Sequence, residues 1–118
     1  MNIVFLDRET LSPQTVLREP SFTHQLHLHG RTSPAEVHGR IADADIIVVN
    51  KVRLDQAAIA AAPRLRMVAV AATGTDNVDI AACRERGIVV SNIRNYAVNT
   101  VPEHTFALIF ALRRSICA

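Results

Sequence analysis

The chain has 118 residues, 49% hydrophobic and 20% charged, so it is long enough for one folded domain and too apolar for a disordered one. The net charge of +2 and an aromatic content of 4% argue against nucleic-acid binding, and the longest apolar run, Phe106–Leu112, is far shorter than the roughly 20 residues of a membrane span. The two cysteines, Cys83 and Cys117, form no CxxC pair and no disulfide framework, which favours a reducing cytoplasmic compartment.

The first half of the chain alternates predicted strands with predicted helices. Asn2–Asp7 is a short apolar run typical of a buried strand. A short helix is expected over Ser12–Pro20, because Ser-Pro is typical of a helix start and Glu-Pro of a helix end. His24–His29 alternates apolar and polar residues, which predicts a strand with one wetter face, near a sheet edge. Ser33–Ala42 opens on a capping-box pattern, S-P-A-E, and is predicted to be a helix.

The second half continues the alternation. The elements predicted there are strand Asp45–Asn50, helix Leu54–Ala62, strand Met67–Ala71, helix Val78–Arg86 ended by Gly87, strand Ile88–Ser91, and a helix from Thr100, with a second capping-box pattern, to at least Ser115. Strands and helices at these connection lengths predict right-handed βαβ crossovers. We therefore expect an α/β fold with an open, flavodoxin-like parallel sheet of about five strands and helices on both faces.

A turn rich in small polar residues, ATGTDNVD, links the fourth predicted strand to its helix. Glycine at such a turn brings backbone N–H groups to the open end of the sheet, and a helix N-terminus adds positive charge, so the turn suits a small carboxylate. Parallel strands end at the same edge, so the loops Asp7-Arg8, Asn50–Arg53 and Thr73–Asp76 are expected to meet there.

A plain structural interpretation of these loops stays open. Gly74 would simply permit a tight turn and Asp76 would cap a helix. The cations Lys51 and Arg53 would simply be solvated.

Other chemical motifs are weaker or missing. His24, His27 and His29 have no acidic or cysteine residue visibly paired with them, so no metal site is predicted. Glu103-His104 is better explained by helix capping than by acid–base catalysis, since adjacent helix residues do not face each other. No GxGxxG, GxSxG or Walker A pattern is present.

The last predicted helix has an unusual surface. The run Phe106–Leu112 is apolar on every side of the helix, which is typical of a helix buried all round. A five-stranded sheet covers only one side of such a helix, so this pattern predicts a partner, either more chain or another subunit.

The segment Val68–Ser115, VAVAATGTDNVDIAACRERGIVVSNIRNYAVNTVPEHTFALIFALRRS, resembles the D-isomer-specific 2-hydroxyacid dehydrogenases, in particular their glycerate dehydrogenase (hydroxypyruvate reductase) branch. DIIVVNKV at Asp45–Val52 is similar to the same family. The resemblance implies a substrate domain over 1–100, an inter-domain helix beginning at 101–118, and a Rossmann domain for NAD(H) or NADP(H) that this chain lacks.

The resemblance also implies roles for individual residues. The backbone amides of Thr73 and Gly74 would hold the substrate carboxylate, Asn50 and Lys51 would face the substrate, and Thr100 would lie beside the cofactor. The family's catalytic arginine, acid, histidine and glycine-rich loop follow the last helix, so no catalytic residue and no tight cofactor binding are expected in this chain alone.

Three readings of the function follow. The chain is a truncated oxidoreductase that is inactive alone, from an enzyme that reduces a 2-oxo acid such as hydroxypyruvate. Alternatively, it is a non-catalytic module that binds a small carboxylate or interacts with a partner, or it is a non-functional remnant. Its partners are expected to be a small 2-oxo or 2-hydroxy carboxylate and, through the 101–118 helix, a second copy or the missing nucleotide-binding domain.

Overall fold

The computed structural model describes residues 1–116, so the expectation for Cys117 lies outside the described residues. Its strands are β1 (Asn2–Phe5), β2 (Gln25–Leu28), β3 (Ile46–Val49), β4 (Met67–Val70) and β5 (Val89–Asn92). They form a sheet in the order β2-β1-β3-β4-β5, and every neighbouring pair is parallel. The predicted flavodoxin-like α/β fold is therefore confirmed, and β2 lies at an edge as its alternating sequence indicated.

The helices are α1 (Pro34–Ile41), α2 (Gln56–Ala60), α3 (Ile80–Glu85) and α4 (Thr100–Arg113). Side chains fix the first turns of the shorter ones. The Asp55 carboxylate accepts a hydrogen bond from the Ala58 N–H at 2.9 Å at the start of α2. In the predicted capping box of α1, the Glu36 carboxylate accepts from the Ser33 N–H at 2.8 Å. Gly87, with φ of 67°, supplies the left-handed residue after α3, as predicted.

The core lies between one face of the sheet and three helices, so the predicted helices on both faces are not found among residues 1–116. The strand residues on this face are Val4, Ile47, Val49, Val68 and Val70. Helices α1, α2 and α3 pack against them through Val37, Ile41, Ala58, Ile59, Ala82 and Cys83. Burial raises the pKa of the Cys83 thiol, and the nearby Asp79 carboxylate raises it further, so this cysteine is a neutral core residue.

The short helix predicted over Ser12–Pro20 is wrong. The structure has a single 3-10 turn, Arg8–Thr10, followed by an irregular segment. Val16 is 89% exposed, so a helix here would have little apolar surface to bury, and so short a helix is not stable without tertiary packing. The Arg8 guanidinium donates instead to the backbone carbonyls of Leu11, Ser12 and Thr15, which holds the segment as a loop.

Both ends of the last helix differ from the prediction. The capping box expected at Thr100 does not form, because Asn99 already has helical dihedrals and its carbonyl accepts the Glu103 N–H at 2.9 Å. Thr100 is therefore the first helical residue. The helix ends at Arg113 rather than Ser115, because Ser115 has a φ of 52°, a left-handed conformation that stops a helix.

Helix α4 is apolar and uncovered. Each of its residues is exposed except the partly buried Ala111, and Leu112 has 82% of its surface open. The expectation that the sheet covers one side of this helix is not met among residues 1–116, where none of the helix residues is buried. Within the same range, the helices are all too short or too polar to cross a membrane.

Candidate functional site

A buried carboxylate shapes the loop after β3. Asp7 follows β1, is 3% exposed, and accepts backbone N–H groups from three successive residues of that loop. The Lys51 N–H donates to Oδ2 at 2.6 Å and the Val52 N–H at 3.1 Å. The Asn50 N–H donates to Oδ1 at 2.9 Å. These charge-assisted bonds satisfy the buried charge and occupy the N–H groups of Asn50, Lys51 and Val52, so these three amides are not available to an external anion.

The side-chain amide of Asn50 makes a hydrogen bond through its nitrogen but none through its oxygen. Its Nδ2 donates to the Thr10 hydroxyl at 3.0 Å. Its Oδ1 is buried and has no hydrogen-bond partner among residues 1–116. An acceptor left unpaired in this way is unfavourable, and it offers a place for an incoming donor such as a hydroxyl group.

The turn after β4 has free backbone donors. The N–H groups of Thr73, Gly74 and Thr75 donate to no acceptor within the described part of the chain. The Thr73 carbonyl accepts from Nδ2 of Asn92, at the end of β5, at 2.7 Å. Because a trans peptide points its N–H opposite to its C=O, this bond turns the Gly74 N–H away from β5 and toward the β3 side.

Space rather than backbone dihedrals favours glycine at position 74. Gly74 is not among the residues with positive φ. A Cβ there would lie 2.9 Å from Oδ1 of Asp76, closer than a normal contact. A side chain at this position would displace Asp76 and cover the free amides.

The N-terminus of the helix after this turn contributes less positive charge to the turn than the sequence predicted. The structure starts α3 at Ile80, because the Leu54 N–H donates to the Asn77 carbonyl and the Asp79 N–H to the Leu54 carbonyl, which keeps this stretch extended. Asp79 caps α3 by accepting the Ala82 N–H at 2.9 Å, so the suggestion that Asp76 is the cap is wrong. Since the helix field fades within about one turn, the amides rather than the helix dipole make the turn attractive to an anion.

Two cavities open at this edge of the sheet. The smaller, about 130 Å³, lies between the β3 and β4 loops and is lined by Asn50, Lys51, Ala72, Gly74, Asp76 and Asn77. The larger, about 620 Å³, lies between the ends of β1 and β3, where the strand order reverses, and Lys51 and Arg53 are among its lining residues. Three predicted site residues, Asn50, Lys51 and Gly74, thus meet at the smaller cavity.

Two other predicted site residues, Thr73 and Thr100, do not line the smaller cavity. Thr73 is exposed and its carbonyl is turned toward Asn92. Thr100 is exposed at the start of α4 and lines neither cavity.

Two histidines at the edge of the sheet, His27 in β2 and His29 directly after it, form a separate surface. His27 and His29 line a cavity of about 490 Å³ beside Arg40 and Asp43. Burial lowers the pKa of His29 from its usual 6.5, the charges of Arg40 and His27 lower it further, and Glu36 opposes them. Within residues 1–116, no group of three or more His, Cys, Asp or Glu side chains is placed to hold a metal ion.

The sequence reasoning missed two positioning residues. Asp7 was grouped with the ligand-facing loops, but its carboxylate serves the loop after β3. Asn92 is not among the predicted site residues, yet its side chain orients the Thr73 peptide. An acid directly after a buried strand was a visible signal for Asp7, whereas nothing in the sequence pairs Asn92 with Thr73.

Comparison with known proteins identifies the family of this chain. The profile described as "D-isomer specific 2-hydroxyacid dehydrogenase, catalytic domain" matches residues 3–116. The chain therefore belongs to the D-isomer-specific 2-hydroxyacid dehydrogenase family, as its sequence indicated.

Individual relatives agree with this assignment. The chain is 49% identical to glycerate dehydrogenase of Methylorubrum extorquens over 97% of its length and 36% of that protein. It is 34% identical to hydroxypyruvate reductase of Blautia hydrogenotrophica over 95% of its length and 36% of that protein. The chain thus spans about a third of the length of these curated relatives.

Solved structures agree on the fold. NAD-dependent formate dehydrogenase from Staphylococcus aureus, solved in complex with NAD, superposes with a TM-score of 0.74 at 22% identity. That match covers 98% of this chain and 39% of the other.

Proposed function

We propose that this chain is the carboxylate-binding part of an oxidoreductase that interconverts a small 2-hydroxy acid and its 2-oxo acid. The observation that carries the proposal is the row of unused backbone N–H groups at Thr73, Gly74 and Thr75 beside a cavity of about 130 Å³. Backbone amides bind a carboxylate without a charged side chain. The relatives named glycerate dehydrogenase and hydroxypyruvate reductase favour a three-carbon acid such as hydroxypyruvate.

The residues of this chain would act on the substrate in three ways. The Gly74 amide would donate to the carboxylate, and the Lys51 ammonium at the same cavity would add positive charge. The Asn50 Oδ1 would accept a hydrogen bond from a substrate hydroxyl, which would satisfy an atom that is otherwise unpaired. Asp7 would hold the Asn50–Val52 loop in place from behind.

A nicotinamide dinucleotide does not fit the residues present. The four glycines, Gly30, Gly39, Gly74 and Gly87, include no phosphate-binding GxGxxG spacing. We therefore assign the NAD(H) or NADP(H) site and the chemical step to a nucleotide-binding domain outside this sequence, and expect no tight cofactor binding by this chain alone. Thr100 would approach the cofactor only once that domain is present.

The partner proposed for α4 is either that nucleotide-binding domain or a second copy of the chain. The support is the apolar, uncovered surface of the helix. The cytoplasm, expected from the cysteine usage, is the compartment that we propose.

The function is tested by calorimetric titration of the chain with hydroxypyruvate. We expect weak, saturable binding with a Kd on the order of 1 mM. Gly74→Val should weaken binding at least tenfold, because its side chain would occupy the space over the amides. The matched control is Gly39→Ala, since a Cβ at Gly39 has no atom within 4 Å, and it should bind as the parent does.

An NADH oxidation assay with hydroxypyruvate separates the carboxylate-binding part from a complete enzyme. We expect no turnover by the chain alone. Turnover that Gly74→Val abolishes would contradict the claim that the catalytic groups lie outside this sequence, and binding that survives Gly74→Val would contradict the assignment of the site.

A further inference from the structure

A chain of hydrogen bonds reaches the candidate site from the 3-10 turn Arg8–Thr10. The Thr10 hydroxyl donates to the Asp7 carbonyl at 2.7 Å and accepts from Nδ2 of Asn50 at 3.0 Å. A threonine hydroxyl has one proton and two lone pairs. Because its proton is used on the Asp7 carbonyl, Thr10 can offer Asn50 only a lone pair. The Asn50 amide must therefore meet Thr10 through its nitrogen.

Asp7 anchors both ends of this chain of hydrogen bonds. Its carbonyl also accepts the Thr10 N–H at 3.0 Å, and its carboxylate accepts the Asn50 N–H at 2.9 Å. The Arg8 N–H donates to the His29 carbonyl at 2.9 Å, which ties the turn to the segment after β2. The bond between Thr10 and Asn50 thus joins two fixed pieces of backbone, so the amide is oriented before a ligand arrives.

This orientation decides which atom of Asn50 is left for a ligand. Asn50 lines the smaller cavity, whereas Thr10 lines the larger one. With its nitrogen on Thr10, the amide keeps for the smaller cavity its Oδ1, which is buried and has no partner among residues 1–116. An amide oxygen accepts hydrogen bonds and cannot donate them. A ligand hydroxyl would satisfy this atom, and a ligand methyl group would leave it unpaired.

A second acceptor at the smaller cavity has less power to discriminate between such ligands. Asp76 also lines the cavity, but it is exposed, so water can replace a missing ligand hydroxyl at its carboxylate. The buried Asn50 Oδ1 has no such replacement. The penalty for a ligand without a hydroxyl therefore falls on Asn50.

We propose that Thr10 is a positioning residue that makes this site prefer a 2-oxo acid with a hydroxyl on C3 over one with a plain methyl group. The inference rests on the proposed function, and it adds the ligand feature that the site distinguishes and the residue that sets the distinction. Thr10 acts through Asn50, because it does not line the smaller cavity itself. We expect hydroxypyruvate to bind about fivefold more tightly than pyruvate, the effect of one net hydrogen bond.

The experiment compares calorimetric titrations of hydroxypyruvate and pyruvate. Thr10→Val keeps the shape of the side chain but removes the hydroxyl, so the Asn50 amide is free to rotate and the preference should fall below about twofold. Thr10→Ser retains a hydroxyl and should restore the preference. Thr105→Val is the matched control, because its hydroxyl donates to the Val101 carbonyl within α4 at 2.8 Å, and it should keep the preference of the parent.

Two further measurements show whether Thr10 acts through Asn50. Asn50→Ala alone should abolish the preference, and adding Thr10→Val should change it no further, since the two residues act as one unit. In NMR spectra of the free ¹⁵N-labelled chain, the side-chain NH₂ signals of Asn50 should shift in Thr10→Val and stay in place in Thr105→Val. This second measurement tests the orientation of the amide without any ligand.

The outcomes separate this inference from the proposed function. Equal affinities of the parent for the two ligands, or an equal loss of both in Thr10→Val, would overturn the inference and leave the carboxylate site standing. A preference that survives Asn50→Ala would assign the hydroxyl to Asp76 and would also overturn it. Binding of neither ligand by the parent, or affinities that Gly74→Val leaves unchanged, would contradict the proposed function and this inference with it. Circular dichroism of each variant should match the parent.

Discussion

Two neighbouring loops at the same edge of the sheet differ in whether their backbone N–H groups have hydrogen-bond acceptors. In the loop after β3, the amides of Asn50, Lys51 and Val52 all donate to the Asp7 carboxylate. In the turn after β4, the amides of Thr73–Thr75 have no acceptor among the described residues. We call Asn50–Val52 the closed loop, because the Asp7 carboxylate occupies its N–H groups. We call Thr73–Thr75 the open turn, because its N–H groups are free to bind an external anion.

This difference explains how a rigid site is built from short loops. A turn with free donors is not held by its own hydrogen bonds, so its neighbours must hold it. Asn92 fixes the Thr73 peptide from one side. On the other side, the Asn77 Nδ2 donates to the Val52 carbonyl at 3.0 Å and so ties the open turn to the closed loop.

Removing the Asp7 carboxylate should have the largest effect on stability. Asp7→Ala leaves three backbone N–H groups without their acceptor, and we expect a loss of about 3–5 kcal/mol in the free energy of unfolding. Urea denaturation measures it. Glu9→Ala is the control, because the Glu9–Arg31 ion pair is exposed and should contribute less than about 1 kcal/mol. Equal losses for the two variants would contradict the role given to Asp7.

Removing the hydrogen bond between Asn92 and the open turn should have an intermediate effect on stability. Asn92→Ala removes the bond to the Thr73 carbonyl, at a cost of about 1 kcal/mol in stability. Hydroxypyruvate binding should weaken several-fold, because the Gly74 N–H is no longer aimed at the cavity, and calorimetry of the variant measures the change. Unchanged affinity would show that the Thr73–Gly74 peptide keeps its orientation without Asn92.

The smallest expected effect concerns His29, which directly follows β2 and lies away from both loops. The lowered pKa of His29 means that the folded state resists protonation, so its contribution to stability is present above the usual value of 6.5 and is lost as the pH falls below it. Thermal unfolding between pH 7.5 and pH 5.5 should therefore show a decline that is smaller in His29→Gln. A decline of the same size in both proteins would assign it to other groups.

The sequence predicted most of the fold because hydrophobic periodicity and capping residues act locally. The DIIVV run of β3 and the S-P-A-E box of α1 each determine a strand or a helix start without distant contacts. The prediction over Ser12–Pro20 failed because a Ser-Pro start is a weak signal when no apolar face follows. The capping box predicted for α4 is wrong because Asn99 has helical dihedrals. Those dihedrals depend on the path of the loop that follows β5.

The candidate site was predictable only in part. The turn at Gly74 follows from a glycine between a strand and a helix, and the convergence of the loops follows from parallel topology. The role of Asp7 and the pairing of Asn92 with Thr73 depend on distances across the sheet that no local pattern encodes. The space restriction at Gly74 likewise depends on where the Asp76 carboxylate lies.

The central claim, that the open turn rather than the closed loop binds the carboxylate, is tested most directly by amide NMR spectra of the ¹⁵N-labelled chain during titration with hydroxypyruvate. We predict saturable shifts at the N–H groups of Thr73, Gly74 and Thr75 and smaller ones at Asn50–Val52, whose donors remain bound to Asp7. Shifts that are largest in the Asn50–Val52 loop, or that leave Gly74 unmoved at saturation, would contradict this account.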